Sequence, residues 1–195
     1  MRALLLAPSL LLLAACASVG PPSATMAPAP PAAATASGPS ATRFTEVLPG
    51  VRAGGQPTAA DLASLQALGV HTVIDLRGEG EDRGYDEAAE ARRLGLDYVA
   101  LPIAGKDAVT PANAQALQAL LAGHGDGVLL HCATGNRAGA LLALGAAMKG
   151  MSHEDALALG RKAGLTAMEP LAVERLQQLD ATRCDTRDGE PGKAC

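Results

Sequence analysis

One stretch of this chain limits its fold more than any other: residues 127–148, G-V-L-L-H-C-A-T-G-N-R-A-G-A-L-L-A-L-G-A-A-M. Gly127 to Cys132 is a short apolar run of strand length. Ala138 to Met148 is apolar on every side, and a helix of that kind is buried on every side. A strand that passes through a tight turn straight into such a helix needs covering elements from the rest of the chain.

Those elements are present. Val47 to Ala53 reads as a short β segment turning at Pro49-Gly50. Thr58-x-x-Asp61 resembles a capping box and opens an amphipathic helix ending at Gly69. His71 to Leu76 is β-branched and apolar, hence a buried strand. Asp82 to Leu94 predicts a charged surface helix stopped by Gly95, and Tyr98 to Ile103 the next strand. Thr110-Pro111 gives an N-cap and a first-turn proline to a helix running through Leu121. Ser152-x-x-Asp155 caps another helix, and Glu169 to Leu179 forms the last. Strands alternating with helices predict an α/β fold: a central, mainly parallel sheet flanked by helices, with a Cys-x4-Arg loop between strand and helix. Residues 43–183 suit one domain. Phe44, Tyr85 and Tyr98 are the full aromatic set, so Leu, Val, Ile and Ala must build the core.

The two ends of the chain read differently. After Arg2 an uncharged apolar run reaches Cys16, too short to span a bilayer comfortably. Residues 1–15 thus predict a secretory signal. Leu13-Ala14-Ala15-Cys16 matches a bacterial lipobox, which makes Cys16 the expected lipidation site. The alternative is an ordinary signal peptide with an incidental cysteine. Several acyl chains on one residue would hold the protein to a membrane durably. Ala17 is not the aspartate that retains lipoproteins in the inner membrane, so the expected place is the outer membrane, facing the periplasm. Residues 17–42 use only Ala, Pro, Ser, Thr, Gly, Val and Met, as a semi-extended tether does. In the polar tail, 184–195, Cys184 and Cys195 form either a disulfide or two free thiols. A net charge of −4 argues against a nucleic-acid partner. His71, His124 and His153 stand apart from each other and from the cysteines, so no metal site is expected.

The chemistry points to Cys132–Arg137. Backbone N–H groups of a tight loop at a helix N-terminus converge on one spot and favour an anion there. A cysteine in that field is favoured as the nucleophilic thiolate. Arg137 offers a planar fork suited to phosphate oxygens, and Gly135 permits the backbone angles of a cradle. His131 is placed to orient the loop from behind by hydrogen bonds, while Ala133, Thr134, Gly135 and Asn136 complete it. The plainer reading is a buried cysteine, a capping turn and an incidental arginine. Asp75 and Arg77 read as a structural strand-end pair.

G-Q-P-T, V-I-D-L-R, Y-V-A-L-P-I and H-C-A-T-G-N-R, in this order and spacing, resemble the dual-specificity-type protein tyrosine phosphatase superfamily. Within it the chain is similar to the bacterial branch of beta-lactamase-hydrolase-like phosphatase domains, over about residues 43–165. The resemblance implies that Cys132 is the nucleophile, Arg137 the phosphate clamp and Asp107 the acid that protonates the leaving group. It also implies a phosphorylated substrate and no metal or cofactor. Two departures stand out. Four residues separate Cys132 from Arg137 where phosphatases commonly have five, and Ala138 replaces the usual serine or threonine. Rhodanese-type sulfurtransferases use a shorter loop, and D-L-R followed by acidic residues and Tyr85 suits them too; no G-H-I-type motif precedes the strand at Tyr98. A sulfurtransferase, or a catalytically silent anion- or protein-binding lipoprotein, therefore stays open beside the phosphatase.

Overall fold

The computed structural model describes residues 43–188, with side chains through Thr182. Cys16, residues 1–42 and the Cys184–Cys195 pairing lie outside what is described. Eleven elements follow in order: β1 (Thr45–Leu48), β2 (Val51–Gly54), α1 (Ala59–Ala67), β3 (Thr72–Asp75), α2 (Glu87–Arg93), β4 (Asp97–Ala100), α3 (Pro111–His124), β5 (Val128–His131), α4 (Asn136–Met148), α5 (His153–Lys162) and α6 (Glu169–Asp188). The five strands form one sheet in the order β1-β2-β5-β3-β4. Only β1 and β2 run antiparallel; the other three pairings are parallel. The expected α/β architecture is the observed one.

Side-chain alternation divides the core into two layers. Val128 and Leu130 of β5 and Ile74 of β3 face one layer, with α3, α4, α5 and α6 packed over them. Leu129 and Val73 face the other, closed by Leu62 and Leu65 of α1, Ala91 of α2 and Phe44. α4 is buried from Arg137 to Ala147, as its all-round apolar sequence requires. It lies very close to α5, because a Cβ on Gly139 would stand 2.5 Å from Gly160 O.

Local signals fixed several boundaries. Thr58 and Asp61 form the reciprocal capping box at the head of α1. Thr110 caps α3, and Ser152 caps α5. Three expectations need correction. α2 begins at Glu87 rather than Asp82, because Gly84 sits at φ +68° and Asp86 takes the N-cap. β4 ends at Ala100, short of Pro102, which cannot donate to a ladder. α6 continues to Asp188, past the helix end expected at Leu179.

Candidate active site

The loop after β5 carries the site. Cys132 follows the last strand residue and is buried. Its Sγ accepts a hydrogen bond from the Gly135 N–H at 3.1 Å. Gly135 caps α4 in the left-handed region at φ +90°, with no side-chain bond to the first-turn N–H groups. A Cβ there would also meet Ala163 O at 2.8 Å, so only glycine fits. An uncapped helix N-terminus behind a sulfur is an anion site.

Two neighbours brace the loop. On one side Gly55 bridges Thr134, and Gln56 N–H donates to Ala133 O at 3.1 Å. On the other side the Asn136 side chain accepts N–H bonds from Thr166 at 2.9 Å and Met168 at 3.0 Å. Asn136 also donates to Thr134 Oγ1. Its amide oxygen is therefore a peg to the α5–α6 turn. Ala133 and Thr134 are exposed at the loop's surface.

Arg137 lies in the first turn of α4, buried behind the loop. Its Nη1 donates to Ile103 O at 2.9 Å and to Glu81 Oε1, and Nη2 donates to Glu81 Oε2 at 2.6 Å. Of five guanidinium donors, this leaves the Nε–H and one Nη2 hydrogen for the sulfur and an oxyanion. The Arg137 pKa is raised chiefly by the Glu81 hydrogen bond, against burial and with help from the Cys132 charge. Reciprocally, the Arg137 hydrogen bond holds Glu81 below the usual carboxylate range; burial opposes this and the Gly78 N–H assists. Glu81 belongs to the site, and sequence reasoning missed it. Its partner is 56 residues away, and the acidic run around it carries no spacing that singles it out.

His131 does not act as expected. Its ring is buried among acidic groups, with Nε2 2.8 Å from Glu87 Oε1 and 3.9 Å from Asp75 Oδ1. Neither ring nitrogen makes an aligned hydrogen bond. The His131 carbonyl accepts from Leu76 N–H, extending the β3–β5 pairing. Asp75, Glu87 and His131 stand close enough together to hold a metal ion. The Arg77 guanidinium already fills that role. It donates two 2.9 Å bonds to Asp75 and one to Glu87. Burial would raise the Asp75 pKa, yet Arg77, His131 and the Tyr98 hydroxyl hold it well below the ordinary range. Asp75 and Arg77 are the structural pair the sequence suggested, lying under the site.

Asp107 is exposed in the turn that follows Ile103, four residues beyond the carbonyl that Arg137 grips. Asp82 and Asp86, the other nearby candidates for an acid, are engaged in local structure. Asp82 accepts from Gly84 N–H and Asp86 from Ala89 N–H.

Known proteins resemble this chain in sequence and fold. Beta-lactamase hydrolase-like proteins of Xylella fastidiosa and Agrobacterium fabrum are each 37% identical to the chain, over 115 and 100 residues. These segments cover 56% and 49% of this chain, and 26% and 23% of the relatives. The chain therefore spans about a quarter of their length. Three solved structures share the fold. A DUF442 protein of Shewanella putrefaciens superposes with a TM-score of 0.57 at 23% identity, covering 72% of this chain and 92% of that one. Tk-PTP in the active form gives 0.58 at 21% identity, covering 71% and 97%. TpbA of P. aeruginosa, in complex with pTyr, gives 0.57 at 20% identity, covering 78% and 94%. The family model of the DSP-PTPase phosphatase fused to NAD+ kinase matches residues 32–181, so by its loop, its fold and its sequence the chain belongs to that dual-specificity and tyrosine phosphatase-like family.

Proposed function

We propose that the domain hydrolyses a phosphomonoester through a phosphocysteine on Cys132. The observation that carries this reading is the meeting of three features: the Gly135 N–H on Cys132 Sγ, the uncapped head of α4, and an Arg137 fork held from behind. In the first step the Cys132 thiolate attacks phosphorus and the ester oxygen departs with a proton from Asp107. Arg137 and the loop N–H groups bind the equatorial oxygens, whose charge they stabilise as the transition state forms. In the second step Asp107 takes a proton from water, which attacks phosphorus and releases phosphate and the thiolate.

A sulfurtransferase is the second reading, favoured by the four-residue loop between Cys132 and Arg137. The deciding experiment assays the protein side by side with an aryl phosphate and with thiosulfate plus cyanide. Hydrolysis of the ester, lost in Cys132→Ser while oxyanion binding persists, is the expected result. Thiosulfate:cyanide transfer without ester hydrolysis would overturn it.

Anchoring of the domain through lipid on Cys16, facing the periplasm, belongs to the same proposal. The lipobox and the uncharged run 17–42 support it. Among the described residues no helix is long and apolar enough to cross a membrane. Cys16→Ser should leave the protein unprocessed or released from sedimented membranes; a still-acylated, membrane-bound variant would refute the anchor.

A further inference from the structure

We infer that the groove beside the catalytic loop is a second anion subsite, so that the preferred substrate is a small phosphomonoester carrying a further phosphate or carboxylate group. The inference rests on the phosphatase reading and adds the substrate class to it.

The groove has a volume of about 740 Å3, within the ~300–1,000 Å3 of small-molecule sites. It is lined by the exposed loop residues Ala133 and Thr134 together with Gln56, Thr58 and Tyr85. Ala133 and Thr134 directly follow Cys132 in the loop, so a group bonded to a phosphate on Cys132 would have this surface next to it. Arg43 and Arg83 line the groove, and among the described residues no carboxylate does. For a chain with a net charge of −4 this is a local reversal of sign.

Both cations are braced from beneath. Arg43 Nη1 lies 3.3 Å from Asp61 Oδ2, and Nη2 donates to Gln56 O. Arg83 Nε lies 3.3 Å from Asp75 Oδ2, and Nη1 donates to Glu81 O. The two aspartate side chains are fully buried, whereas the Arg43 and Arg83 side chains are 54% and 26% exposed. The negative end of each pair is thus hidden in the protein and the positive end faces the groove. Anchored guanidinium groups lose little rotamer freedom when an anion arrives. Tyr85 is held beside them by its hydroxyl, which donates to Pro57 O at 3.1 Å.

The test uses the full chain carrying Cys132→Ser, with binding measured by calorimetry at low salt. The probes are adenosine 5'-monophosphate and adenosine 3',5'-bisphosphate, which differ only in the second phosphate. The bisphosphate should bind at least ~10-fold tighter, and added salt should shrink the advantage. Arg43→Gln with Arg83→Gln should reduce it below about twofold while monophosphate affinity holds. Arg83 also touches Asp75, so a thermal melt checks the fold of the double variant. If that variant fails to fold, Arg43→Gln alone must cut the advantage at least ~3-fold. Equal affinity for the two nucleotides, binding of neither, or an advantage that survives the substitutions would overturn the subsite. Hydrolysis of an aryl phosphate by the unaltered protein judges the phosphatase reading separately.

Discussion

At the scale of single residues, the site separates groups that would touch substrate from groups that hold them. Glu81 belongs to the second kind, since it grips one edge of Arg137 and leaves the other to the anion. Asp107 belongs to the first kind in the proposed mechanism. The two roles predict different kinetic signatures. Asp107→Asn removes a proton donor, worth ~10²–10⁴ in rate for a poor leaving group. It should cripple hydrolysis of an alkyl phosphate and spare a nitrophenyl ester, whose phenolate leaves unaided. Glu81→Gln leaves the acid in place but loosens the arginine, so both esters should slow alike, by up to ~10²-fold. Steady-state kinetics on the two substrates checks both. Equal losses in Asp107→Asn would reassign that residue to loop shaping, and a leaving-group dependence in Glu81→Gln would make it the acid.

At the scale of elements, the seam between α4 and α5 decides how the loop is presented. A Cβ on Gly139 would stand 2.5 Å from Gly160 O and 2.8 Å from Leu165 N, both backbone atoms. Alanine is ordinarily better than glycine inside a helix by ~1 kcal/mol. Overpacking a rigid seam costs ~1–3 kcal/mol, and the clash should win. Gly139→Ala should therefore lower the melting temperature by several degrees. Gly123→Ala, in α3 with open space around it, should keep or raise it. A stabilised Gly139→Ala would mean the helices can part. The same elements explain what could be read in advance. Thr58, Asp61, Thr110 and Ser152 announce helix starts because their side chains bond amides two or three residues away. The Cys132–Arg137 loop between β5 and α4 was legible for the same reason, its parts lying within seven residues. Glu81 and the brace at Gly55 were not, because tertiary folding alone brings them to the loop. The start of α2 was misread because the charged run from Glu79 has no apolar period to fix a boundary.

At the scale of the whole molecule, the buried network of Asp75, Glu87, Arg77 and His131 ties β3, β5 and α2 beneath the site. Asp75 is held below the pKa of an unfolded aspartate. Its stabilising contribution is therefore complete above pH ~4 and is lost as pH falls below that toward the folded value. Urea midpoints measured from pH 7 down to pH 3 should drop at the acid end. Asp75→Asn should be less stable at pH 7, because Arg77 loses one of its two carboxylate partners, yet show a flatter acid decline. An unchanged slope would place the acid sensitivity elsewhere. α4 presents no side to water, and Arg137 is part of its first turn. Inherited changes that keep the core intact thus preserve the anion cradle as a by-product of folding. Changes at Arg43, Arg83 and Tyr85 do reach the core's edge, because the two arginines pair with buried Asp61 and Asp75 and Tyr85 packs beside the Phe44 layer. If the proposed subsite selects the substrate, a lineage that exchanges one substrate for another there must keep a partner for each buried aspartate, so its route through sequence space is narrow.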